Sequence, residues 1–80
     1  MASKTMQEIK DMALKMLVEE SLYKVGESDC FEYQGREYKI ERMDNGFALL
    51  WKVGNRYTGF VYPTMSMLFS FFFRKVQISY

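Results

Sequence analysis

The stretch EYKIERMDNGFALLWKVGNRYTGFVY, residues 37–62, decides the fold. Tyr38 and Ile40 alternate with Glu37, Lys39 and Glu41, and further on Phe47, Leu49, Trp51 and Val53 take alternate positions. A period of two puts successive side chains on opposite faces of a β-sheet. Asn45-Gly46 is the strongest short hairpin signal available, because both residues accept the positive φ of a type I′ turn. Gly54-Asn55 suits a second tight turn, and the strand from Arg56 to Tyr62 stops at Pro63, which has no amide for a ladder. With two-residue loops, Ile40 faces Trp51 and Arg42 faces Leu49, while Trp51 faces Thr58 and Leu49 faces Phe60. One face then collects Tyr38, Ile40, Phe47, Leu49, Trp51, Val53, Phe60 and Tyr62, with Arg42 its one awkward member. The other carries Lys39, Glu41, Met43, Ala48, Leu50, Lys52, Tyr57 and Val61, a mixed set.

Working outward toward the N-terminus, Phe31 and Tyr33 flank Glu32 ahead of a turn-like Gln34-Gly35, which makes the meander three- or four-stranded. Before it, Thr5-Met6-Gln7-Glu8 fits a capping box. Met6, Ile9, Met12, Ala13, Met16, Leu17 and Tyr23 then fall on one side of a helix at about 100° per residue. Asp11–Lys15 and Glu20–Lys24 stand four apart in the favourable order, and Gly26 is the natural stop. On the C-terminal side, Thr64 caps a last helix running to about Gln77. Met65, Leu68, Phe69, Phe72, Phe73 and Val76 form its wide apolar face, and Met67, Phe71 and Ile78 a second stripe beside it. A rival reading has Val76, Ile78 and Tyr80 alternating as a strand, so residues 76–80 stay open between helix and strand. The expected fold is α+β: N-terminal helix, antiparallel three- or four-stranded meander, C-terminal helix. Residues 1–80 form one domain, with both helices on one side of the sheet.

Composition narrows the chemistry. The 80 residues contain seven Phe, six Tyr, one Trp and seven Met, and 49% are hydrophobic. Large aromatic side chains let a small domain build a core quickly. Cys30 is the one cysteine and histidine is absent, so no internal disulfide forms, and the commonest general base and zinc ligand are missing. Cys30 sits between Asp29 and Phe31 without the neighbouring cation that activates a thiolate. The carboxylate pairs Glu19-Glu20 and Glu27-Asp29 lack metal-loop spacing, and the glycines fall at turns or, for Gly59, within a strand. No cofactor and no enzyme activity are expected. The segment after Met1 has no signal-peptide core, and the apolar run from Met65 to Phe73 is far short of the about 20 residues a membrane span needs. The reading is a cytoplasmic protein with no membrane partner.

Net charge is +1, but its distribution is uneven. Residues 1–35 hold four lysines against seven carboxylates, and residues 36–80 hold seven basic residues against three acids. Lys52, Arg56, Arg74 and Lys75, interleaved with aromatics, make a nucleic-acid-binding regulator the alternative reading. A helix–three strands–helix order also resembles, in topology alone, double-stranded-RNA-binding domains. That resemblance implies a lysine cluster opening the last helix, where this chain reads Pro63-Thr64-Met65-Ser66-Met67, so none of the family's RNA-contacting positions carries over. The leading expectation is a small non-enzymatic protein-binding module that associates with itself or occupies a surface of a larger target. Inhibitors and accessory regulators of the kind viruses and mobile elements encode have this size and lack of motifs. Its candidate contact residues are Met67, Phe71 and Ile78 on the last helix and Leu50, Tyr57 and Val61 on the sheet's second face, because leftover apolar surface marks partner sites.

Overall fold

Thr5 opens the first helix as its spacing predicts. In the computed structural model, which describes the backbone of residues 3–78 and the side chains of residues 3–76, α1 spans Met6–Val18. The Thr5 hydroxyl accepts from the Glu8 amide at 3.1 Å and the Glu8 carboxylate accepts from the Thr5 amide at 2.9 Å. Those Thr5 hydrogen bonds hold the Glu8 carboxyl below its usual range. Ile9, Ala13 and Met16 are buried, on the face that periodicity assigns to the core.

The helix ends at Val18, well short of Gly26, and a 3-10 turn follows over Glu20–Leu22. Tertiary contacts explain the early stop. Tyr23 sets its ring edge-on to Phe47 at 6.1 Å. The Gly26 amide donates to the Arg42 carbonyl, and the Arg42 amide donates to the Glu27 carbonyl. These bonds tie the connector to the sheet, so Glu20 and Lys24 never share a helix face.

Four strands follow, β1 Ser28–Tyr33, β2 Arg36–Met43, β3 Gly46–Val53 and β4 Arg56–Tyr62, and then α2 over Met65–Ile78. They form one antiparallel sheet in sequence order, β1-β2-β3-β4. The fold is therefore α-β-β-β-β-α, and the fourth strand departs from the three-stranded order of double-stranded-RNA-binding domains. Positions 76–78 are helical, not strand; residues 79 and 80 lie outside the described residues.

The turns divide the positive-φ work differently from expectation. Gln34 at φ 50° and Gly35 at φ 77° give the β1–β2 hairpin its type I′ loop. Gln34 is the one non-glycine residue with positive φ among the described residues, a conformation that asparagine adopts more readily. Gln34→Asn is expected to add about 0.5–1 kcal/mol, read as a raised urea midpoint with an unchanged slope.

The β2–β3 loop is Asp44-Asn45 rather than Asn45-Gly46, with Met43 opposite Gly46, Arg42 opposite Phe47 and Ile40 opposite Leu49. Pairing is thus two residues from the expected register. A slip of two keeps every side chain on its face, so the face assignment survives. Gly46 is needed inside the strand: it sits at φ 150°, and a Cβ there would overlap the Tyr62 carbonyl oxygen. At the β3–β4 loop Gly54 takes φ 62°, and the expected pairs Trp51–Thr58 and Leu49–Phe60 form.

Both helices cover the same sheet face. Ile9, Ala13 and Met16 of α1 join Phe31, Tyr33, Tyr38, Ile40, Phe47 and Leu49 of the sheet, and Met65, Leu68, Phe69, Phe72 and Val76 of α2, in one buried cluster. Arg42, the misfit on that face, donates to the Met43 and Gly46 carbonyls at 2.8 and 3.0 Å. Its guanidinium lies 4.9 Å from the Phe47 ring centre, so the charge is used to tie the hairpin turn.

Candidate functional site

The sheet has two edges, and they are treated very differently. Along β1, the Lys4 amide donates to the Glu32 carbonyl at 2.7 Å and Ser3 bridges Glu32, so the N-terminal segment occupies part of that edge. Asp29 and Glu32 add charge to it. No described residue pairs with the outer side of β4. Its sequence, RYTGFVY, has a single charge, at its first position. Natural edges are usually blunted by charge, proline, bulges or brevity; here seven residues run open, and Pro63 lies just beyond.

Apolar side chains flank that edge on both sides. Tyr57 and Val61 point to the uncovered sheet face and are 42% and 44% exposed, while Phe60 points to the helix side and is 59% exposed. Alternation places Phe60 and Val53 on the core face, yet neither is buried. The helices do not reach over the β4 margin. Phe71 closes part of the gap, its ring 6.0 Å from Phe60 and 5.4 Å from Tyr62, and Met67 is half exposed on α2.

The expected contact residues are thus split by the sheet. Met67 and Phe71 stand on the helix side, with Phe71 half-buried against β4; Leu50, Tyr57 and Val61 stand on the other. The Ile78 side chain lies outside the described residues. The uncovered face is not a plain apolar patch, because charges cross it. Tyr57 donates to Glu37 at 2.8 Å, Lys52 pairs with Glu37 at 3.8 Å and Lys39 pairs with Glu41 at 3.4 Å. The Glu37 hydrogen bond raises the Tyr57 pKa. Leu50 sits half-buried within this mesh. On this face the exposed large apolar side chains, Tyr57 and Val61, both belong to β4.

No protein-family model, curated protein or solved structure matches this chain. The site is therefore read from its own geometry.

The basic set does not assemble. Lys52 lies on the uncovered face, paired with Glu37. Lys75 lies on the helix side with its ammonium 4.4 Å from the Trp51 ring centre. Arg74 is exposed on α2, and Arg56 opens β4. The sheet therefore separates Lys52 from Lys75 and Arg74, and two of the four already have partners.

Other features carry less. Glu19, Glu27 and Asp29 line a shallow cleft with Tyr23, whose hydroxyl donates to Asp29 at 3.0 Å. Burial and that bond push the Tyr23 pKa up to about 12. No group of three or more His, Cys, Asp or Glu residues suited to a metal occurs among the described residues. Cys30 is exposed on β1. No described helix is long and apolar enough to cross a membrane.

Two exposed apolar features escape the sequence pattern. One is the pair Phe60 and Val53, assigned to the core by alternation. The other is a ridge of Leu14, Val18 and Leu22, 64%, 83% and 72% exposed. The spacing of four between Leu14 and Val18 off the core face is the signal that could have found it.

Proposed function

We propose that this protein is a non-enzymatic protein-binding module that accepts an extended polypeptide strand along β4. The observation supporting this is the open β4 edge, which carries Tyr57 and Val61 on one side and Phe60 on the other. Strand addition draws affinity from main-chain hydrogen bonds and specificity from alternate side chains. Both elements are present along Arg56–Tyr62. An inhibitor or accessory regulator that occupies part of a larger protein acts by this kind of contact.

A photo-crosslinking residue placed at Val61 tests the reading in extract from the native cell. The expected result is a protein adduct that resists nuclease and is lost when Phe60 is also changed to Lys. A crosslinker at Lys10, exposed on α1, serves as the control and should give no adduct of the same mass. Adducts only to nucleic acid, or none from Val61, would overturn the proposal.

A further inference from the structure

The backbone of β4 is complementary to itself. Val53 and Arg56 flank the two-residue loop and are paired, and the residues closing such a loop exchange both backbone hydrogen bonds. Alternation then turns Arg56, Thr58, Phe60 and Tyr62 toward β3. The N–H and C=O groups of Tyr57, Gly59 and Val61 point away from the sheet, at the open edge.

A second β4 running antiparallel can meet all three at once. With Gly59 opposite Gly59, Tyr57 falls opposite Val61 in both directions. The outward groups of the two copies then form about six backbone hydrogen bonds. Tyr opposite Val is a favourable aromatic–β-branched pair, and it would cover two of the exposed side chains. Arg56, the strand's one charge, falls opposite Tyr62, so no like charges meet.

The helix side fits the same arrangement. α2 packs against β3 and β4, on the side where Met67 is half exposed. Continuing the sheet at about 4.8 Å per strand brings the uncovered β4 margins of the two copies side by side. Phe60 and Met67 would then lie in the seam. A β4–β1 pairing between copies has no such fit, since the β1 edge is partly taken by Ser3 and Lys4.

We infer that the chain forms a two-fold dimer through antiparallel pairing of β4 with β4 of a second copy, centred on Gly59. The inference rests on the strand-addition reading above and names the strand's source. Sedimentation of the full chain at micromolar concentration should give twice the 9.6 kDa monomer mass. The amides of Tyr57, Gly59 and Val61 should exchange slowly in the dimer and faster on dilution. Val61→Pro removes an outward amide without touching the β3 ladder, and Val61→Lys places a charge opposite Tyr57. Both should weaken the dimer about tenfold or more, while circular dichroism checks that each variant stays folded. Amide exchange needs no variant, so a misfolded substitution cannot decide the matter. A monomer at all concentrations, or a dimer whose three amides exchange freely, would overturn the inference. A monomer that still gives the Val61 adduct with another protein removes the dimer and keeps the binding module; loss of both removes both.

Discussion

Phe72→Ala is expected to destabilise the fold by about 3–5 kcal/mol, the cost of removing a buried phenyl ring and leaving its cavity. Phe72 is fully buried and stands at the centre of an aromatic cluster. Ring centres lie at 5.6 Å for Phe31, 6.3 Å for Tyr33, 5.1 Å for Tyr38 and 5.5 Å for Phe73. The contacts are edge-to-face, the arrangement the ring quadrupole favours. A chain of this length holds only about 4–12 kcal/mol in total, so the variant loses about a quarter or more of it. Denaturant unfolding measures the loss. Ser70→Ala on the same helix, at an exposed position, should move stability by no more than about 0.5 kcal/mol. Equal losses at the two positions would contradict the assignment of the helix faces.

The second large effect is expected at Gly59. A Cβ added there would overlap the Leu49 carbonyl oxygen, and it would stand 2.9 Å from that carbonyl's carbon and 3.0 Å from the Leu50 Cα. All three are backbone atoms, so no rotamer change relieves the clash and β4 must move away from β3. Gly59→Ala should cost about 3 kcal/mol, at the upper end of ordinary overpacking. Amide exchange should loosen first along β3 and β4, with the β1–β2 hairpin less affected. Gly54 is the comparator: it has positive φ but nothing within 4 Å of an added Cβ. Alanine there meets only the conformational penalty, about 1–2 kcal/mol. A Gly59→Ala protein as stable as the parent would mean that the two strands are not so closely apposed.

The sequence pattern carries the element order and the sorting of side chains between sheet faces, because alternation and helical periodicity are local. It also carries the capping box at Thr5 and the loop at Gly54-Asn55. Three features are set by contacts distant in sequence, and there the reading departs from the structure. α1 stops at Val18 because the connector binds Arg42. The β2–β3 loop moves back one residue because Gly46 is needed where Tyr62 approaches. Phe60 stays exposed because helix coverage ends before the β4 margin, which alternation along one strand cannot report. The candidate surface was legible in part: Tyr57 and Val61 stand out as apolar residues on a mixed face. That they belong to an edge with Phe60 on its far side follows only once the four strands have an order.

Each of the four strands pairs only with strands next to it in sequence, whereas the core is closed by an element that follows the sheet. Hairpins form from short local loops, so the meander can assemble early. Yet α2 supplies five of the fourteen residues in the buried cluster. Synthesis is vectorial, at about 5–20 residues per second. Until α2 docks, the sheet face bearing Phe31, Tyr38 and Leu49 lacks the part of its cover that α2 supplies. A meander formed before the last helix docks would present open apolar surface and an open strand edge together. A chaperone holding the chain at that stage would bind the face that Phe72 later fills.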